Sequence, residues 1–450
     1  MESRAITFAA FFAGLAVAAS NGVRAQSLYP EPPGAVAADE ALGGESVERA
    51  IIAALAHNPE IDIARSREQA AGADRFRAIG RFLPNIEATA TYADDSLRSS
   101  TLNTLEDRDG TTLGITASQP LFQGLSAINE LREARARVSQ SKYALMSARE
   151  QIALAAAQAH AGVTLAREVV SHRQENLKLV NRQFEVAEKR RKAGAQSRTG
   201  VEQAKMRRAQ AQVDLGQARA FVADREAAYA RVVGHEPPPE MNADPANEDF
   251  ELDTRETALA AALSNNPTLN AARAGAKAAK HAKDAAKGGF APKLALEGTY
   301  FRRYGDGVTE VDEEEYQVVA RVRMPIFAQG QNYAGLKSAG AASAESDAQL
   351  RGTRLVVEEA VSRSWRQLGD AEARRIAAAS AISAATESVK GLQIEYEAGR
   401  RTVIDVLDGQ RDLVIAMISL SQAEHDYRVI QYELAATAGR LLMLAEEDAG

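Results

Sequence analysis

The stretch AGRRTVIDVLDGQ, from Ala398 to Gln410, sets Asp405 and Asp408 three residues apart, shortly after a glycine. Residues at i and i+3 of a helix share a face, so both carboxylates point the same way. Two chemistries suit such a pair. One is local: Thr402-x-x-Asp405 spells a capping box. An acid in a first helical turn also opposes the positive end of the helix dipole, for about 0.3–1 kcal/mol. This accounts well for Asp405 and weakly for Asp408. The other is collective, and depends on whether the shared face meets solvent, a partner or a pore.

Elsewhere, residues that carry catalysis or bind metals are not grouped. The six histidines (57, 160, 172, 235, 281, 425) are scattered, with no metal spacing such as His-Glu-x-x-His. GQNYAGLKS, Gly330 to Ser338, misses the P-loop pattern because a leucine separates Gly335 from Lys337. The acidic run Asp312 to Glu315 has the ligand type for calcium, but a solvated loop is the simpler reading. Trp365 is lone and reads as packing. The expectation is no enzyme, no cofactor and no metal. The absence of cysteine excludes disulfides, thiolate metal sites and a lipid anchor on an N-terminal cysteine. A net charge of −7 argues against nucleic-acid binding. Aromatics are only 5 % of the 450 residues, and alanine, the strongest helix former, dominates.

The elements that must position the two acids follow from an internal repeat. HNPEI (His57–Ile61) recurs as NNPTL (Asn265–Leu269), and FLPNIEATATY (Phe82–Tyr92) recurs as FAPKLALEGTY (Phe290–Tyr300). QPLF at Gln119 recurs as MPIF at Met324, Gly194 as Gly399, and Gly234 as Gly439. The organisation expected is a signal peptide (1–25), a linker (26–46), repeat 1 (47–236), a Pro- and acid-rich linker (237–250), repeat 2 (251–442) and a tail (443–450). The signal reads from Arg4, an apolar stretch Ala5–Ala19 and Val23-Arg24-Ala25, with cleavage before Gln26. An uncleaved anchor is the alternative, though the stretch is short for a span. No other run of about 18 apolar residues exists, a criterion that membrane β-barrels escape.

Within each repeat the pattern predicts a helix, two strands and two long helices. Asn58-Pro59 and Asn266-Pro267 read as helix starts. Strands are expected at about 85–93 and 111–121, and at about 293–301 and 315–326. The last alternates Tyr316, Val318, Ala320, Val322, Met324 and Ile326 against Glu315, Gln317, Val319, Arg321 and Arg323. Such strands are long enough to cross a bilayer when tilted, and long polar segments join them, as in outer-membrane barrels. An ordinary antiparallel sheet lying on helices is the alternative. Four strands cannot close a barrel, and open edges are not tolerated in lipid, so a spanning sheet demands an oligomer. Two, three or four chains would satisfy that argument. Ser126 to Ala193 is 68 residues without proline, about 100 Å if helical. Ala328 to Ala398 is similar. Each long helix ends at a glycine turn, near Gly194 or Gly399, and a second helix returns. Along the last, Leu413, Met417, Leu420, Ala423, Tyr427, Ile430 and Leu434 form a coiled-coil seam.

This layout and these residues resemble the TolC family of trimeric outer-membrane channel-tunnels, over about residues 45–442. The most specific stretch is AGRRTVIDVLDGQRDLVIA, with Asp426-Tyr427 and Ala438-Gly439. ARVVGHEP (Ala230–Pro237) and ASQPLFQG (Ala117–Gly124) also look like family signatures and tilt towards the type I protein secretion branch. The resemblance implies a mainly α fold with membrane β: four strands per protomer in a 12-stranded barrel, continued by a periplasmic α-helical coiled-coil barrel. It implies a homotrimer in outer-membrane lipid, serving a periplasmic adaptor (membrane fusion) protein and an inner-membrane ABC exporter or proton-driven pump. It places Asp405 and Asp408 on the aspartates that ring the narrow periplasmic entrance, where three copies present six carboxylates. Confined negative charge draws in cations, can bind a di- or trivalent cation, and raises some of its own pKa values by mutual repulsion. Tyr396 and Arg401 fall on residues that hold the family's entrance shut. The acid that should receive such an arginine falls here on Gly200, so that link is weaker or uses another acceptor. The tips Ala193, Gly194 and Ala195, and Ala398, Gly399 and Arg400, resemble adaptor-docking sites, although each glycine is also a plain helix-ending turn. The basic run Lys189–Lys192 suits a helix C-terminus; it reads as a solvated face, with a surface towards the adaptor as the alternative.

The function implied is a passive exit duct, for type I protein secretion first and drug efflux as the alternative. A non-channel periplasmic adaptor or scaffold is the second alternative. Two hairpins and four paired strands favour the duct.

Overall fold

The computed structural model describes residues 44–99, 104–242, 254–306 and 311–442. The expected signal peptide, residues 26–43 and 243–250 of the two linkers, and the tail lie outside these. Repeat 1 contains α1 (Val47–His57), α2 (Pro59–Gly80), β1 (Asn85–Ser99), β2 (Thr104–Gln123), α3 (Ser126–Lys192) and α4 (Arg198–Val233). Repeat 2 contains α5 (Arg255–Asn265), α6 (Pro267–Lys287), a single 3-10 turn (Gly288–Phe290), β3 (Lys293–Asp306), β4 (Val311–Arg323), α7 (Gln331–Glu397) and α8 (Val403–Ala438).

Each repeat therefore opens with two helices, where the pattern predicts one. The asparagine before the proline divides them. A residue preceding proline is pushed out of the helical region, and Asn58 accordingly sits at φ −76°, ψ 123°. Each asparagine ends one helix and caps the next. Asn58 Oδ1 accepts from the Glu60 amide at 3.0 Å, and Asn266 Oδ1 from the Leu269 amide at 2.9 Å. The same side chains reach the end of their repeat's returning helix: Asn266 Nδ2 donates to the Thr437 carbonyl at 2.9 Å, and Asn58 Nδ2 to that of Val232 at 3.5 Å.

The four strands form one antiparallel sheet in the order β1-β2-β3-β4. The register sets apolar residues opposite each other: Ile86 and Ala117, Ala88 and Ile115, Tyr300 and Tyr316, Leu294 and Val322. Large side chains of that face are open to their surroundings, with Ile86 50 %, Ile115 50 %, Tyr316 65 % and Val322 68 % exposed, while Ala117 between them is buried. Among the described residues, β1 and β4 are each paired along one edge only. The hairpins extend further than the alternation predicts. Pairing continues from Ala93↔Gly110 to Ser99↔Thr104, and up to Gly305↔Val311. Backbone hydrogen bonds can prolong a hairpin through polar residues, whereas alternation marks a strand only where one face is apolar. At the other end β4 stops at Arg323, so Met324 and Ile326, expected within the strand, lie beyond it. Pro325 has no N–H to donate to the ladder.

The chain separates into two compact units, and neither is a repeat. One comprises Arg67–Lys142 and Ala271–Leu350, including the sheet. The other comprises the segment up to Ser66, Tyr143–Asn270 and the chain from Arg351. The second has two apolar clusters. One gathers Val47, Ile51, Ile152, Ala153, Ala156, Tyr229, Val233 and Leu441. The other gathers Val180, Ala187, Ala204, Ala211, Tyr396, Val403, Val406 and Leu407. Alanines at these contacts let helix backbones approach closely, which is how a chain poor in aromatics builds a core.

Candidate functional site at the hairpin tips

Both hairpins turn through the same motif. Gly194 has φ +77° and Gly399 φ +75°, in the left-handed region that favours glycine. The Ala195 amide donates to the Arg190 carbonyl and the Arg400 amide to that of Glu395, each at 2.8 Å. The glycine amides donate to Arg191 and Tyr396 carbonyls at 2.9 and 3.0 Å, completing two Schellman turns. Ala193, Gly194, Ala195, Ala398, Gly399 and Arg400 are all exposed. Lys189, Arg191 and Lys192 are exposed beside the first tip.

Asp405 carries out the local chemistry. Its Oδ2 accepts from the Thr402 amide at 2.8 Å and the Thr402 hydroxyl at 2.7 Å, while Thr402 Oγ1 accepts from the Asp405 amide at 3.4 Å. The capping box is complete. The hydroxyl and amide of Thr402, with Arg401 nearby, hold the Asp405 carboxyl below the usual range. Within the protomer its acidity thus shifts opposite to the rise expected from crowded carboxylates.

Asp408, on the next turn, has a different partner. Arg207 of α4 lies against it, Nη2 to Oδ1 at 2.5 Å. The sequence pattern does not disclose this pair. Arg401 does not reach across to repeat 1. Its Nε donates to Glu395 Oε2 at 2.8 Å, within its own hairpin, and this carboxylate raises the guanidinium pKa. Gly200 lies in the first turn of α4, its amide donating to Ser197 Oγ at 3.1 Å, and offers no acid. Within the protomer Glu395 takes up Arg401 in place of an acid of repeat 1. Its place six residues before Arg401, across a glycine turn, is a signal that could have found it. Tyr396 is only 4 % exposed, in the second apolar cluster. Arg190 of α3 stacks over its ring, 4.4 Å from the centroid. So Arg190, from the basic run that the sequence reads as a solvated face, and Arg207, which it does not single out, join the hairpin of repeat 1 to that of repeat 2.

The other sequence candidates resolve simply. Asp312 pairs with Arg302 and Glu313 with Arg303, each at 3.1 Å, and Glu314 accepts from the Tyr300 hydroxyl at 2.7 Å. They lie along β4 rather than in a loop. Among the described residues no group of three acids or histidines is placed to hold a metal. Gly335 and Lys337 lie within α7, so the P-loop-like stretch has no loop.

The family model described as outer membrane efflux protein matches residues 50–235 and 258–440. The chain is 28 % identical over 409 residues to the outer membrane efflux protein BepC of Brucella suis, covering 91 % of this chain and 88 % of that one. It is 25 % identical over 414 residues to the alkaline protease secretion protein AprF of Pseudomonas aeruginosa, covering 86 % and 83 %. The crystal structure of the outer membrane protein VceC from Vibrio cholerae superposes with a TM-score of 0.77 at 20 % identity, covering 87 % of this chain and 96 % of that one.

Proposed function

From the premise that the chain belongs to the outer membrane efflux protein family, the TolC family its motifs resemble, we propose that it is the exit duct of a tripartite export machine. Its place is the outer membrane. It conducts passively, and the driving energy comes from an inner-membrane pump joined to it by a periplasmic adaptor. The observation that carries the reading is the sheet: an apolar face whose large side chains are exposed and two strand edges, β1 and β4, without partners among the described residues. Hydrocarbon satisfies the face, and only further strands satisfy the edges. Three copies close a twelve-stranded barrel continued by a tunnel of helices, with Asp405 and Asp408 at the tunnel's periplasmic entrance and the two tips as adaptor contacts.

Protein secretion is the route proposed first. ARVVGHEP and ASQPLFQG tilt towards the type I branch, and AprF is named for protease secretion. Small-molecule efflux is the second reading, carried by the likeness to BepC. Planar-bilayer conductance of the purified protein tests the duct. A small cation-selective conductance that loses its selectivity in Asp405→Ala/Asp408→Ala supports it. A protein that stays in solution without detergent and does not conduct refutes it. In a host lacking its own channel, restored secretion of a type I substrate or restored drug tolerance separates the two routes.

A further inference from the structure

Arg207 and Asp408 belong to different repeats, yet they meet on the returning helices α4 and α8. The Arg207 side chain is mostly buried and that of Asp408 half-buried, at 25 % and 48 % exposed. Arg207 Nε and Asp408 Oδ1 are both buried without a hydrogen-bond partner among the described residues, so the two groups meet as an ion pair, Nη2 against Oδ1. Ala204, one turn before Arg207, and Leu407, beside Asp408, both lie in the second apolar cluster. The ion pair is therefore seated on the packed contact between the two hairpins. Arg401, which the family resemblance nominates for holding the entrance shut, is occupied within its own hairpin.

We propose that Arg207 is a specificity-determining residue of the duct. It cancels one of the two acids each protomer presents at the entrance, and it latches the repeat 1 hairpin to the repeat 2 hairpin. This rests on the reading of Asp405 and Asp408 as entrance residues. Asp405, Asp408 and Arg207 together carry one net negative charge per protomer. Breaking the pair therefore has two effects at once. It releases α4 from α8, and it uncovers the second carboxylate, so that a widening entrance becomes more attractive to cations.

A mutant cycle in planar bilayers, on the full-length protein in its assembled form, separates the two effects. Arg207→Gln leaves two negative charges per protomer, Asp408→Asn leaves none, and the double variant leaves one, as in the wild type. The cation-to-anion permeability ratio should therefore run Arg207→Gln above wild type, wild type equal to the double variant, and Asp408→Asn lowest. The step from wild type to Arg207→Gln should be roughly two-fold or more, as the uncancelled fixed charge doubles. All three variants lack the latch and should conduct more than wild type. If Arg207→Gln does not assemble, Asp408→Asn against the double variant reads the same charge, the double being the more cation-selective. Wild-type conductance and selectivity in Arg207→Gln, alongside lost selectivity in Asp405→Asn/Asp408→Asn, would overturn the role of Arg207 while leaving the duct intact. A silent wild type would instead remove the duct itself.

Discussion

Asp405 holds a structural position as well as a proposed electrostatic one, and the two are separable. Its Oδ2 receives two hydrogen bonds from Thr402, at 2.8 and 2.7 Å. Hydrogen bonds to a charged acceptor are worth about 1.5–3 kcal/mol, against about 0.5–1.5 for neutral ones. Asp405→Asn keeps an acceptor but loses the charge, together with a dipole interaction of about 0.3–1 kcal/mol. At an exposed tip, screening trims both terms, so the start of α8 should loosen by about 1–2 kcal/mol. Thr402→Val removes the hydroxyl but leaves the 2.8 Å bond from its amide, at a cost of about 1 kcal/mol. Hydrogen–deuterium exchange over residues 403–409 reads both changes. Exchange should quicken by roughly 5–30-fold in Asp405→Asn, with a smaller change in Thr402→Val. The pH dependence has a definite sign. The folded carboxyl lies below its ordinary value, so its contribution is complete above about pH 3.9 and fades as pH falls through the folded value. Wild type and Asp405→Asn should converge only in acid. Thr402→Val retains the charge and should keep wild-type ion selectivity. Unchanged exchange in Asp405→Asn, or a difference that persists in acid, would refute the capping argument.

Two further outcomes follow from buried groups in the helical unit. Asn266→Ala removes a helix cap and the 2.9 Å bond to the Thr437 carbonyl, and should lower stability by about 2–3 kcal/mol. Asn58→Ala, whose second bond is 3.5 Å long, should cost about 1 kcal/mol, and equal melting shifts for the two would show that the second bond contributes nothing. Glu150 is 6 % exposed, and burial pushes its carboxyl up to about 7, opposed by the Leu442 amide and Arg149. A folded value above the unfolded one means stability is fully present below about pH 4.5 and is lost as pH rises through about 7. Glu150→Gln should remove up to about 3 kcal/mol of that decline, seen as melting points that differ less between pH 5 and pH 8 than in wild type.

What the chain determines alone is what lies within about ten residues of itself. The helix starts at Pro59 and Pro267, the turns at Gly194 and Gly399 and the box from Thr402 to Asp405 are local hydrogen-bond and backbone preferences. They were legible because their chemistry is written in adjacent letters. The apolar alternation of the sheet was legible for the same reason, but only where one face is apolar, so the polar ends of both hairpins were missed. Tertiary structure decided which charges meet. Asp405 and Asp408 share a face, yet one turns back to its own helix cap and the other goes to Arg207, 201 residues away. That meeting depends on the rotation and stagger of α4 against α8. Both are set by the summed contacts of Ala187, Ala204, Ala211, Val403 and Leu407, and no single residue announces the result. The same holds for the compact units, each of which draws on both repeats: a repeat describes how a segment folds locally, and packing decides what it folds against.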